Sequence, residues 1–172
     1  MENVDAVTEA CARAQRMLED NAPRDAILNC LVAAAQMVSG PRTAVSVLVL
    51  DNDGLLRNGA SPNLPPHYLD AIDGLKPNAA VGTCAAAAAT GVVVVTPSFL
   101  ADGKWTELRH LPLAIGFVGA WSMPIISTSD GRVLGTFGTY FKDERQPTGP
   151  EMAAVRALAA VAARVLDVGH TE

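Results

Sequence analysis

Aromatic residues make up only 5% of the 172 residues in this chain. With so few rings, a core has to be closed by small side chains and near-touching backbones, and alanine and valine are abundant. Lysine and arginine never form a run, and the net charge is −5 with a pI of about 5.1. A nucleic-acid surface needs a basic patch, so no nucleic-acid partner is expected. The three cysteines, Cys11, Cys30 and Cys84, are odd in number and widely spaced. That argues against a disulfide framework and for a reducing compartment. No stretch has the roughly 20 mostly apolar residues that a spanning helix requires. The uncharged run after Lys76 is broken by Pro77, Gly82, Gly91 and Pro97, and the run after His110 by Pro112, Gly116, Gly119 and Pro124. The N-terminus is acidic and amphipathic, without a signal-peptide core. A cytoplasmic protein with no membrane partner is the expectation.

What remains is 49% hydrophobic and 18% charged, enough for one domain with a sizeable core. Residues 4 to 19 read as a helix whose Val4, Val7, Cys11, Ala14 and Leu18 form a narrow, heptad-like seam. A second helix is expected to start with Asn21 as its cap and Pro23 in its first turn. Its apolar face is Ile27, Cys30, Leu31, Ala34 and Val38, and Gly40-Pro41 stops it. TAVSVLVLD and LLRNGA read as two strands joined by a DNDG hairpin turn. SPNLPPHYLDAIDG is a loop with a short helix. In VGTCAAAAATG, Thr83 is expected to cap a helix and Gly91 to end it. VVVVT is a third strand, and ADGKWTELRHLP is a loop with about two helical turns ended by Pro112. GFVGAWSMPI and RVLGTFGTYF are strands joined by a turn at TSDG. TGPE, 148 to 151, has capping-box spacing and opens a last helix to about Val168. The hairpins demand antiparallel pairing. The fold expected is α+β, a central antiparallel sheet of about five to six strands with helices on both faces.

Four runs carry a resemblance to a known family: LRNGASPNLPPHYLDAIDGL (56 to 75), VGTCAAAAATG (81 to 91), WTELRHLPLAIGFVGAWSMPI (105 to 125) and DGRVLGTFGTYF (130 to 141). In content and order they resemble the GAF domain family of bacterial sensory proteins, over about residues 20 to 168. The resemblance implies a single GAF-like domain over 1–172. Within it, 1–20 would be an N-terminal helix serving as a dimer contact, 21–168 the GAF core and 169–172 a tail. It further implies a ligand cavity between one sheet face and the helical excursions. A sensory, regulatory role without catalysis follows, with a histidine kinase, cyclase or transcription regulator as partner. The narrow seam of the first helix and the similarly spaced valines and leucines of the last lead to the expectation of a homodimer through the terminal helices. Where the family often carries an arginine and a cysteine, this chain has Val118 and Ala120. The asparagine, lysine, phenylalanine, aspartate and glutamate signature of cyclic-nucleotide-binding members is not recognisable.

The candidate ligand residues follow from that placement. Trp105 offers apolar area and one N–H donor, which suits a pocket wall or lid, or a packing role between excursion and sheet. Leu108 and Arg109 share its short helix. Trp121 sits mid-strand with Phe117 and Met123 expected on the same face, packed in the core. The small alternate residues Val118, Ala120 and Ser122 would then look toward the cavity. Thr83 and Cys84 open the alanine helix, where free N–H groups can receive an anionic or acceptor group, or simply serve as a cap and a small buried thiol. No cofactor is assigned. His67 and His110 have no ligand-like spacing to any cysteine, so no metal site is expected. No catalytic residue is expected either. A GAF-type methionine sulfoxide reductase needs a resolving thiol, and no cysteine follows Cys84. Covalent bilin attachment lacks its cysteine beside His110, and noncovalent haem would need one histidine as axial ligand. The different-class alternative is a ligand-free GAF unit used for dimerisation or docking.

Overall fold

The structure, a computed structural model, describes residues 2–170. Helix α1 (Glu2–Glu19) is followed by α2 (Arg24–Ser39), strands β1 (Thr43–Leu50) and β2 (Leu56–Ala60), and helices α3 (Pro66–Ile72) and α4 (Cys84–Thr90). Then come β3 (Val94–Thr96), a 3₁₀ turn (Gly103–Trp105), α5 (His110–Ala114), β4 (Gly119–Ile126), β5 (Val133–Phe141) and α6 (Gly149–His170). Since α6 runs to His170, the tail expected from residue 169 begins inside the helix, and residues 171 and 172 lie outside the described residues.

All strand pairs are antiparallel, in a five-stranded sheet of order β2-β1-β5-β4-β3. The α+β expectation holds. Strand alternation divides the core into two layers. Val45, Val47, Trp121, Met123, Phe137 and Phe141 face the layer of α1, α2 and α6. Ala44, Leu48, Ala120 and Tyr140 face α3, α4, α5 and their loops. A β-bulge breaks the alternation at the far end of the β4–β5 hairpin. There Ile125 opposes Gly135 and Ile126 opposes Val133, which leaves Leu134 on the α1/α2/α6 side.

Four local expectations are corrected. Asn21 does not cap α2, whose N-cap is Pro23. Instead Asn21 adopts a left-handed φ of 58°, and the amides of Asn21 and Ala22 donate back to the carbonyls of Leu18 and Met17. That is a Schellman close of α1, a position Asn tolerates better than other side chains. Thr83 makes no side-chain cap bond at α4, because its hydroxyl is engaged elsewhere. Pro112 lies within α5 rather than ending it, since an early helical position needs no amide donor. Phe117 does not share a face with Trp121. Strand β4 begins only at Gly119, so period two does not reach back to Phe117, which packs with Tyr140 on the opposite side.

The capping box at α6 forms as read. The Glu151 amide donates to Thr148 Oγ1, and the Thr148 amide donates to Glu151 Oε1, both at 3.2 Å. The α1 seam is spent mostly inside its own chain. Val7 and Ala14 are buried, and Cys11 and Leu18 pack against the layer shared with α2 and α6. Val4 alone of the seam is left exposed. No described helix is long and apolar enough to cross a membrane.

Candidate functional site

The sheet face opposite the α1/α2/α6 layer is the floor of the site. Leu48 of β1 and Tyr140 of β5 supply its apolar part. Alternation puts Thr136 and Gly138 on the same side of β5 as Tyr140, Ser122 beside Ala120 on β4, and Thr96 on the neighbouring β3. Helix α3 covers one half through Tyr68 and Ile72. Helix α4 lies over the strands nearby. It reaches the sheet closely because Gly138 has no side chain: a Cβ there would come within 2.9 Å of the Cys84 sulfur. The loop from Gly103 to Leu108 closes the rest with Trp105 and Leu108.

Side-chain hydrogen bonds tie this roof to the floor and its parts to one another. The Tyr68 and Tyr140 hydroxyls are 2.7 Å apart, joining α3 to β5. Trp105 Nε1 donates to Thr83 Oγ1 at 2.8 Å, joining the 3₁₀ turn to the start of α4. The indole also leans on Phe99, centroid to centroid 4.3 Å. Among these groups lies a cavity of about 20 Å³, lined by Leu48, Tyr68, Ile72, Thr83, Trp105 and Tyr140 among others. That is room for about one water molecule. No lining residue carries a formal charge. Burial pushes both phenols above their ordinary range, so they stay neutral.

Behind Thr83 runs a relay of defined polarity. Thr83 Oγ1 lies 2.9 Å from Thr96 Oγ1, and the Thr96 hydroxyl donates to Asp102 Oδ2 at 3.1 Å. Lys104 Nζ donates to both oxygens of Asp102, at 3.0 and 2.9 Å. Burial lifts the Asp102 carboxyl, but the bonds from Lys104 and Thr96 outweigh it and hold the group below the usual carboxylate range. An ionised carboxylate only accepts. Thr96 therefore spends its proton on Asp102, Thr83 spends its proton on Thr96, and Thr83 presents a lone pair to the chamber. The Trp105 indole N–H now occupies it.

Cys84 is half-buried, lines the cavity, and sits over Gly138. Burial pushes its thiol up from the ordinary value. The hydroxyls of Ser122 and Thr136 approach the sulfur from the sheet, but neither makes a hydrogen bond of sound geometry with any described residue. Cys11 and Cys30 lie in α1 and α2, on the other side of the sheet. Among the described residues, no group of three or more histidine, cysteine or acidic side chains is placed to hold a metal ion.

The eight candidate residues thus divide. Trp105, Leu108, Thr83 and Cys84 line the cavity together. Ala120 and Ser122 lie on the excursion side of β4 but are buried away from the cavity. Val118 precedes the strand, and its main chain bonds to Phe99 and Phe141. Arg109 points to the rim, where Nη1 is 3.4 Å from the Leu100 carbonyl. Tyr68, Tyr140, Thr96 and Asp102 were missed by the sequence reading. Tyr140 follows Thr136 and Gly138 by period two, a signal usable only once the facing side of β5 is known.

The comparisons with known proteins agree with this architecture. The GAF domain family model matches residues 21–167. A methyl sulfide methyltransferase-associated sensor of Methanosarcina acetivorans is 32% identical over 151 residues, or 87% of this chain. The chain spans only 15% of that relative's length. The GAF domain of a Coxiella burnetii phosphoenolpyruvate-protein phosphotransferase superposes with a TM-score of 0.75 at 14% identity, covering 96% of this chain and 95% of that one. A free methionine-R-sulfoxide reductase of Neisseria meningitidis, solved with its substrate, gives a TM-score of 0.71 at 16% identity, covering 96% and 90%. At such identities the solved structures speak to fold alone. The antiparallel sheet, the excursions that roof one of its faces and the family match over 21–167 lead to one conclusion, that this chain belongs to the GAF domain family.

Proposed function

We propose that this domain is a small-molecule-sensing regulatory module of signal transduction, cytoplasmic, without catalysis of its own, and working as a homodimer within a larger signalling assembly. One observation carries the reading. A neutral, largely apolar chamber is roofed by short segments that side-chain hydrogen bonds at Tyr68–Tyr140 and Trp105–Thr83 help to pin in place. Apolar walls with a few placed polar groups suit a small-molecule site, and bonds of this kind open at modest cost. The sensor name of the archaeal relative supports the same direction.

The absence of catalysis is supported by Cys84. Its thiol is pushed up rather than activated, and the other cysteines lie across the sheet, so a sulfenate there has no resolving thiol within the domain. The homodimer is supported by the exposed apolar side chains Val4 and Met37 on the α1/α2 layer, 66% and 59% exposed. The second reading is a ligand-free docking and dimerisation module. The cavity's size, about 20 Å³, favours it.

Native mass spectrometry of freshly purified protein, followed by thermal shift against the small-molecule fraction of a lysate, separates the two. The sensing reading expects a retained mass or a saturable rise in Tm. A ligand at a hundredfold excess over its Kd adds roughly 2.7 kcal/mol. A bare mass together with an unmoved Tm would leave the docking module.

A further inference from the structure

We propose that the chamber selects an uncharged planar molecule carrying a hydrogen-bond donor, of the indole or phenol kind, which takes the place of the Trp105 side chain on Thr83. The inference rests on the sensing reading and names the ligand class of that same site. The first argument is the polarity of the relay. Because Asp102 fixes the Thr96 proton, and Thr96 in turn fixes that of Thr83, the Thr83 hydroxyl accepts from the chamber and does not donate to it. At the position the Trp105 N–H now fills, a carbonyl, carboxylate or phosphate oxygen would meet the Thr83 lone pair and be repelled. The anionic or acceptor group expected at the start of α4 does not match this polarity, and α4 itself is only seven residues long.

The second argument is charge. The chamber lining contains no ionised side chain, so a charged ligand would lose its hydration without a counter-ion. The third is shape. The group now on Thr83 is itself a planar donor, an indole N–H at 2.8 Å with its ring against Phe99. Trp105 is 5% exposed, so the site already folds around an internal stand-in for its ligand. A space of about 20 Å³ cannot hold an added ring. Entry therefore requires the indole to leave Thr83, and that exchange couples occupancy to the loop carrying Trp105. The coupling is how a ligand with different affinities for the two arrangements would shift the domain.

The test compares three probes of similar size: indole, a donor only; acetophenone, a neutral acceptor only; and benzoate, an anion. Each is titrated by calorimetry into the unmodified domain and into Asp102→Asn and Thr83→Val. Indole is expected to bind saturably and roughly tenfold or more tighter than acetophenone or benzoate, the scale of one good hydrogen bond against an unmatched pair. In Asp102→Asn the amide can donate to Thr96 and reverse the relay, so the gap between indole and acetophenone narrows. In Thr83→Val it closes. Acetophenone or benzoate binding as tightly as indole overturns the inference and leaves the sensing reading standing. So does binding of none of the three by a protein whose Tm still responds to the metabolite fraction. Silence to the probes and to that fraction overturns both. A tenfold gap that survives in both variants overturns the relay as its cause.

Discussion

Trp105 and Trp121 show how differently one residue type is used in a chain with so few aromatics. Trp121 is fully buried on the α1/α2/α6 side, and its Nε1 has no hydrogen-bond partner among the described residues. Trp105 is nearly as buried, but its N–H is committed to Thr83. Trp105→Phe keeps a ring on Phe99 and loses the donor, so it should cost about 1–2 kcal/mol in chemical denaturation. Trp105→Ala also empties the roof and should cost about 3–5 kcal/mol. Equal losses in the two variants would mean that the N–H contributes nothing. Cys84 gives a second prediction at this scale. With its thiol pushed up by burial, a Cys11→Ser/Cys30→Ser protein should react with a thiol reagent far more slowly than free cysteine near neutral pH. Cys84→Ser should retain the fold. Fast labelling that is lost in Cys84→Ser would show an activated thiol and reopen the reductase reading.

Most elements were legible because their signals are local. β-branched TAVSVLVL, turn residues at DNDG and TSDG, and the Thr148–Glu151 spacing each specify a few residues without help from elsewhere. Which side of each strand faces which layer was not legible, because register depends on partners distant in sequence. Tyr68 and Tyr140 could not be paired for that reason, whereas Phe117 falls on the other face because β4 starts only at Gly119 and period two does not reach it. Thr83 illustrates a competition that spacing cannot reveal. It stands where a cap belongs, but Trp105 and Thr96 offer its hydroxyl better partners. At the α6 cap, Glu151 also receives Arg145 at 2.7 Å, and that guanidinium stacks over Phe141 at 4.1 Å from the ring centroid. Glu151→Ala should therefore cost about 1–3 kcal/mol, more than a simple cap, with a lower urea midpoint as the readout. In the excursion loop, Asp102 has a depressed value when folded. Its contribution is complete above the ordinary carboxylate value of about 4 and is lost as pH falls through the lower folded one. The Tm difference between the unmodified protein and Asp102→Asn should thus shrink as pH drops below about 4. A difference that grows toward acid would reverse the sign of the argument.

For the whole molecule, the family and its two-layer plan could be read from the order of a few motifs, whereas the state of the chamber could not. Only the folded chain shows that Trp105, Tyr68 and Tyr140 fill the space and leave about 20 Å³. The α1 seam teaches the same lesson in reverse. Its narrowness suggested a partner, but Val7, Ala14 and Leu18 are used within the chain, so a dimer contact has to come from the outer face. Val4→Glu combined with Met37→Glu should raise the monomer fraction in light scattering at tens of micromolar protein, and make Tm less dependent on protein concentration. A monomer in the unmodified protein would remove the dimer from the account. The claim that matters most is that the chamber under Trp105 receives a ligand. The two tryptophans, on opposite faces of the sheet, supply a reporter and a control for it. In a proton–nitrogen correlation spectrum of labelled protein, saturating indole should move the Trp105 side-chain N–H as it leaves Thr83, with the Trp121 signal unmoved. A Trp105 resonance that stays in place while indole is added to saturation, or a response confined to Trp121, would contradict the account.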